Sequence, residues 1–206
     1  MTQAQVPQKT ATTVPTISHL SQVLSAYRPT LREDEGRYAA VAAVLRDTEA
    51  GAEVLLIRRT ESPTDPWSGQ MAMPGGKQDA ADLTLHHTAV RETFEEVGVD
   101  LRTAVTLGRL DDTQAMARGR RTDLVIAPFV FAVTGAVSAS PSAEVQEAVW
   151  VPLRVLAAPE TYGTYAYELP GGTQVQLPCW RWQGYIIWGL THHMLRHLLI
   201  VAGLVR

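Results

Sequence analysis

The first sixteen residues, MTQAQVPQKTATTVPT, show no apolar periodicity, whereas Leu20, Val23, Leu24 and Tyr27 then recur at helical spacing. This pattern predicts a flexible N-terminal arm over residues 1–17 and a short helix opening near Ser18, whose hydroxyl would cap it. Two apolar runs, RYAAVAAVLR and AEVLLIRRT, flank the turn-rich DTEAGA and predict a central hairpin. ESPTDPWSGQ, rich in Pro, Ser, Asp and Gly, predicts a loop leading into a short extended MAMP. TAVRETFEEV carries a helical pattern with Thr84 or Thr88 as its start and Gly98 as its stop. RTAVTLGRLDDT, LVIAPFVFAV, EAVWVPL and TQVQLPCWRW predict further strands, with a basic loop ARGRRTD between the first two. Strands outnumber helices, and the helices fall early, in the middle and at the end. The expected architecture is therefore an α/β fold with a mixed sheet between helices, forming one domain over residues 18–206, and not a doubly wound parallel sheet.

The last apolar run, YIIWGLTHHMLRHLLIVAGLV, is interrupted by His192, His193, Arg196 and His197. Four polar side chains near its centre would be costly in hydrocarbon, so it predicts an amphipathic helix packed on the domain and no membrane partner. With 206 residues, 46% of them hydrophobic, the chain can bury a sizeable core. A formal net charge of -3 gives no general field for nucleic acid or an anionic membrane, so an anionic ligand must be met by a local cluster or a metal. The single cysteine, Cys179, excludes an internal disulfide framework, and with no secretory signal at the N-terminus it suits a reducing, cytoplasmic setting. Its neighbours in VQLPCWRWQ favour buried filler over a nucleophile.

Against this ordinary background, Glu92, Glu95 and Glu96 stand on little more than one helical turn. Their i, i+3 and i+4 spacing places the carboxylates on one face, about 5–6 Å apart at Cβ. Three like charges so placed call for a positive partner. Hard cations such as Mg²⁺ take oxygen ligands and are commonly held by carboxylates together with substrate phosphates. A solvated acidic face is the plainer reading of such a triplet, but the MPGG bend before it, Arg91 one turn ahead of Glu95, and the glycine stop favour a site.

The run from Gly76 to Val99 resembles the Nudix box, G-x5-E-x7-R-E-U-x-E-E-x-G-U with U aliphatic. Gly76, Arg91, Glu92, Glu95, Glu96, Gly98 and Val99 match in register; the early acidic residue is Asp82, separated from Arg91 by eight residues instead of seven, and Thr93 occupies an aliphatic position. The resemblance implies an α/β/α sandwich that hydrolyses a nucleoside diphosphate linked to another moiety with Mg²⁺ or Mn²⁺ as cofactor. It implies Glu95 and Glu96 as principal metal ligands, Glu92 as ligand or water-orienting group, Arg91 as the residue that holds the glutamates, and Gly76 as a further ligand through its carbonyl. A general base is expected from outside the box, with Glu144 and Glu147 as candidates.

The flanks are similar to the coenzyme A pyrophosphatase branch of that family, in GQMAMPGG, where Met73 replaces a phenylalanine, and in IWGLTHHML. An arginine of that branch is missing near Thr64 and Asp65. Arg118, Arg120 and Arg121 in ARGRRTD could bind phosphate instead, since arginine forks match phosphate oxygens, or form an exposed basic turn. The expected substrate is coenzyme A or a thioester, the alternatives being ADP-ribose or a (deoxy)nucleoside triphosphate, or a non-catalytic nucleotide sensor. His193 and His197 have a metal-capable spacing but no acidic partner, and His86 and His87 are expected to face solvent. Trp67, Trp180 and Trp182 read as core, as adenine-stacking groups, or as a subunit interface, which keeps a possible homodimer open.

Overall fold

The strand at Arg37–Thr48 (β1) sends Ala39, Ala43 and Leu45 into one buried cluster and Ala40, Ala42 and Val44 into another. A chain of period two with small and branched residues on both sides can only be the middle of a covered sheet. The computed structural model describes residues 14–32, 36–62, 67–117, 119–135 and 137–206. After β1 come β2 (Gly51–Arg59), β3 (Met71–Ala72), β4 (Gly75–Lys77), β5 (Val105–Arg109), β6 (Thr113–Ala117), β7 (Arg120–Ala132), β8 (Val145–Pro152), β9 (Tyr162–Glu168), β10 (Gln174–Trp182) and β11 (Tyr185–Trp188). The helices are α1 (Ile17–Ala26), α2 (Leu85–Val97), α3 (Leu153–Ala157) and α4 (Gly189–Val201).

Strands β1 to β8 form an eight-stranded mixed sheet, in which β1 runs parallel to β7 and every other pairing is antiparallel. The expected hairpin is present, with Thr48 opposite Gly51. Leu20 and Leu24 of α1, Leu153 and Leu156 of α3, and Leu195 and Leu198 of α4 are buried with one face of the sheet. Ala89 and Val97 of α2 are buried with the other. This is the expected α/β/α sandwich with a mixed sheet. Strands β9 to β11 make a separate three-stranded antiparallel sheet, whose fully buried Trp180 joins the α4 side of the core. No helix among the described residues is long and apolar enough to cross a membrane.

Several local expectations change. Thr16, not Ser18, caps α1, its hydroxyl accepting from the His19 amide at 3.2 Å. Of the expected arm, residues 1–13 lie outside the described residues. Pro15 is placed, its carbonyl accepting the Ala52 amide at 2.7 Å. The run RTAVTLGRLDDT is not one strand: it opens in a 3-10 turn at Leu101–Thr103 and breaks between β5 and β6, where Asp111 and Asp112 accept the amides of Thr30 and Arg32. The basic loop is shorter than expected, because Arg120 and Arg121 already belong to β7, opposite Ala117 and Met116 of β6. Arg118 lies outside the described residues. His86 does not face solvent; it packs against Phe129 and Phe131, and its Nε2 lies 2.9 Å from the Thr106 hydroxyl. Cys179 is buried, as expected.

Candidate active site

Two elements build the site, helix α2 and the short strand β4. Helix α2 is capped by Thr84, whose hydroxyl accepts from the His87 amide, and it stops at Gly98, whose φ of 67° is the left-handed conformation that glycine adopts without cost. Ahead of it, β4 pairs with β1 so that Gly75 lies opposite Val41 and Gly76 opposite Ala40. At Gly75 a Cβ would collide with the Ala40 carbonyl, and at Gly76 it would lie 2.5 Å from the Glu92 carboxyl carbon. The PGG bend therefore lets a backbone strand press directly onto the carboxylates of the helix.

Arg91 organises the box. Its guanidinium donates twice to Asp82 (3.0 and 2.8 Å), to Glu92 and Glu95 (2.9 Å each), and to the Lys77 carbonyl (3.2 Å). Asp82, with its side chain only 6% exposed, also accepts from the Thr88 hydroxyl and the Asp79 amide. The Arg91 guanidinium holds its carboxyl well below the usual carboxylate range, outweighing the opposite effect of burial. The role of this early acidic residue is thus structural: it anchors the arginine that spans the box.

The carboxylates do not all converge as the helical spacing suggested. Glu96, 5% exposed, turns inward, where it accepts the Gly75 amide at 2.8 Å and lies 3.6 Å from the Arg59 guanidinium. Glu92 is half-buried beside Gly76, while Glu95 is 56% exposed and held outward by Arg91. Among the described residues no three His, Cys, Asp or Glu side chains meet in metal-ligand geometry. Glu92 and Glu96 instead share a cleft of about 730 Å³ with Glu144, and Glu95 is not among its lining residues. Burial pushes the Glu96 carboxyl up to about 7, the Gly75 amide and Arg59 opposing this and the Glu92 and Glu144 charges reinforcing it. Burial raises Glu92 in the same way. Two partly desolvated carboxylates that resist ionisation alone are a donor set that a hard divalent cation would complete, so the residues fit such an ion.

Glu144 reaches the cleft because the amides of Ser140 and Ser142 donate to the Val97 and Glu96 carbonyls at 2.8 Å, hanging this loop on the last turn of α2. Glu147 does not reach it: its carboxylate accepts from the Tyr185 hydroxyl at 2.8 Å and lies 3.6 Å from Arg58. The rest of the lining is mainly apolar, with Trp67, Leu124, Ile126 and Met194 prominent, and it includes Arg59 and Lys77. Arg120 and Arg121 do not line it. Arg59 was not singled out by sequence; the only signal available was its place at the end of a buried strand leading into the loop before the box. His192 packs against Trp180 and His193 is exposed, while His197, expected to lack an acidic partner, has its Nε2 3.8 Å from Asp111 and 3.0 Å from the Tyr27 hydroxyl.

Residues 36–169 match the family model described as the NUDIX domain. The chain is 42% identical over 111 residues to the uncharacterized protein C14C4.10c of Schizosaccharomyces pombe, covering 52% of this chain and 34% of that one; it thus spans about a third of the length of that relative. It is 29% identical over 171 residues to the uncharacterized Nudix hydrolase NudL of Photorhabdus laumondii, covering 82% of this chain and 87% of that protein. A MutT/nudix family protein from Enterococcus faecalis superposes with a TM-score of 0.54 at 15% identity, over 91% of this chain and 75% of that one, a likeness of fold alone.

Proposed function

This chain belongs to the Nudix family, and on that premise we propose that it is a Mg²⁺- or Mn²⁺-dependent pyrophosphatase cleaving a diphosphate linkage in a nucleoside diphosphate derivative. The observation that carries this reading is the meeting of Glu92, Glu96 and Glu144 with the Gly75–Gly76 strand in one cleft. In it Glu92 and Glu96, with the Gly76 carbonyl, would hold the cation, Glu95 would join them from the same helix on leaving its outward position, and Arg91 fixes the orientation of Glu92 and Glu95. When bound, the cation neutralises diphosphate oxygens and makes a coordinated water more acidic. Glu144 accepts the proton of the attacking water in this reading, which its position in the cleft outside the Arg91 network supports.

For the substrate we favour coenzyme A or its thioesters, giving adenosine 3′,5′-bisphosphate and (acyl)phosphopantetheine. Both segments that resemble that branch supply the cleft: Gln70 to Met73 with Gly75 and Gly76 from one side, Leu190 and Thr191 from the other. A long apolar wall beside an acidic end suits a diphosphate attached to a largely uncharged arm. The test is purified protein with Mg²⁺ or Mn²⁺ and a panel of coenzyme A, acetyl-coenzyme A, ADP-ribose, NADH, diadenosine polyphosphates and deoxynucleoside triphosphates, products being separated by chromatography. The highest kcat/KM is expected for the coenzyme A compounds. A panel led by ADP-ribose or a triphosphate overturns the substrate and keeps the reaction; binding without turnover of any member replaces the enzyme with a nucleotide sensor.

A further inference from the structure

The cleft carries three carboxylates, and a diphosphate brings more negative charge to the same place. Against Glu92, Glu96 and Glu144, the charged lining residues of opposite sign, among the described residues, are Arg59 and Lys77. Lys77 is exposed at the rim, at the end of β4. The arginine of the box, Arg91, donates to Asp82, Glu92, Glu95 and the Lys77 carbonyl. Arg59 differs in position. It ends β2, its amide donating to the Gln70 carbonyl at 3.1 Å, and it pairs with Val145 of β8 across an irregularity in register. Such bulges occur beside active sites, where they re-aim a strand. Here the neighbouring residue Arg58 lies with Glu147, while Arg59 lies with Glu96. At 3.6 Å its contact with the Glu96 carboxylate is a Coulombic one, longer than a charge-assisted hydrogen bond.

We propose that Arg59 is the substrate-gripping cation of this site, its guanidinium fork receiving non-bridging oxygens of the diphosphate from the wall formed by β2 and β8, opposite the Gly75–Gly76 strand. The proposal rests on the pyrophosphatase reading. Guanidinium geometry matches two phosphate oxygens at once, which an ammonium cannot do. With the diphosphate absent, the same cation lies against Glu96 and offsets part of the like-charge repulsion among the three carboxylates. Arg59 therefore stands in for charge that the ligands bring later, and it competes with a cation for Glu96 until the diphosphate engages it.

The test uses full-length wild type, Arg59→Lys and Arg59→Ala, with retained fold checked by circular dichroism. Two affinities are measured: Mn²⁺ alone, by electron paramagnetic resonance, and the non-hydrolysable imidodiphosphate at saturating Mg²⁺, by calorimetry. Arg59→Ala is expected to weaken imidodiphosphate binding by about tenfold or more while Mn²⁺ binding stays the same or tightens. Arg59→Lys is expected to fall between, since it keeps the charge and loses the fork. Unchanged imidodiphosphate affinity in Arg59→Ala overturns the proposal, as does a loss of Mn²⁺ affinity as large as the loss for imidodiphosphate, which would make Arg59 a support for Glu96 only. If Arg59→Ala does not fold, the lysine variant decides, wild-type affinity for imidodiphosphate overturning the proposal. A wild type that hydrolyses the panel while Arg59 proves dispensable sinks Arg59 alone; a wild type that neither hydrolyses the panel nor binds imidodiphosphate removes the pyrophosphatase reading and the proposal with it.

Discussion

Glu96 is where charge and function meet most closely. Glu96→Gln keeps the side chain's size and its hydrogen bond from the Gly75 amide, yet removes the charge that a hard cation needs. Turnover is expected to fall by several powers of ten at saturating Mg²⁺ with the melting temperature little changed; near-normal steady-state rates would remove Glu96 from the metal set. Asp82 gives the opposite profile. Its carboxyl titrates lower in the folded chain than in the unfolded one, so its ionisation stabilises the fold above the ordinary carboxylate range, and this contribution fades as pH falls through and below that range. Asp82→Asn is expected to cost on the order of 2 kcal/mol at pH 7, by urea unfolding, and progressively less below about pH 4, because protonation then does to the wild type what the mutation does. A deficit that is constant between pH 7 and pH 3 would mean that the Arg91 pair is not its source. At this scale the sequence was only partly legible. The i, i+4 position of Arg91 and Glu95 could be read from spacing, whereas the outward turn of Glu95 depends on a guanidinium shared by three carboxylates, a competition that spacing does not reveal.

The elements follow hydrophobic period and caps where those signals are strong. The β1–β2 hairpin and α2 agree with the sequence reading, while β6 and β9 do not emerge from it because their half-exposed faces mix apolar and polar residues; the apolar YIIW, read as the start of the last helix, is strand β11, and α4 begins only at Gly189. The C-cap of α2 gives a direct test: Gly98→Ala introduces a Cβ with ordinary contact to Ser140 at 3.5 Å but forces alanine into a left-handed conformation. The expected cost is about 1 kcal/mol, seen as a lower melting temperature with kcat within twofold of wild type. A larger loss of activity would show that the Ser140–Ser142 loop, and Glu144 with it, depends on the cap. The β6–β7 hairpin is the second element with its own prediction. Arg120 and Arg121 sit at the outer end of a strand whose inner residues Leu124 and Ile126 line the cleft. Replacing Arg118, Arg120 and Arg121 together by alanine is expected to lower coenzyme A hydrolysis more than ADP-ribose hydrolysis, because only the former carries a 3′-phosphate distant from the diphosphate. Equal losses would assign the cluster to general steering of anions.

Across the whole molecule, the two helical layers bury separate clusters on opposite faces of one shared sheet. Leu55 and Leu56 are adjacent and fully buried on opposite faces, one with the α2 cluster and one with the α1 and α4 cluster. Leu55→Ala and Leu56→Ala are each expected to cost about 2–5 kcal/mol and to shift a single unfolding transition, monitored by calorimetry and by circular dichroism. Two separated transitions in either variant would divide the domain. Strand β1 joins the layers most completely: along one edge it pairs with β4 and then with β2, and along the other with β7. The backbone amides of its middle residues should therefore exchange with solvent deuterium only when the entire chain unfolds. Because the glycines that press on Glu92 and Glu96 belong to a strand paired with this same segment, a ligand that occupies the cleft should slow isotope exchange in β1 by the same factor by which it lowers the global unfolding constant.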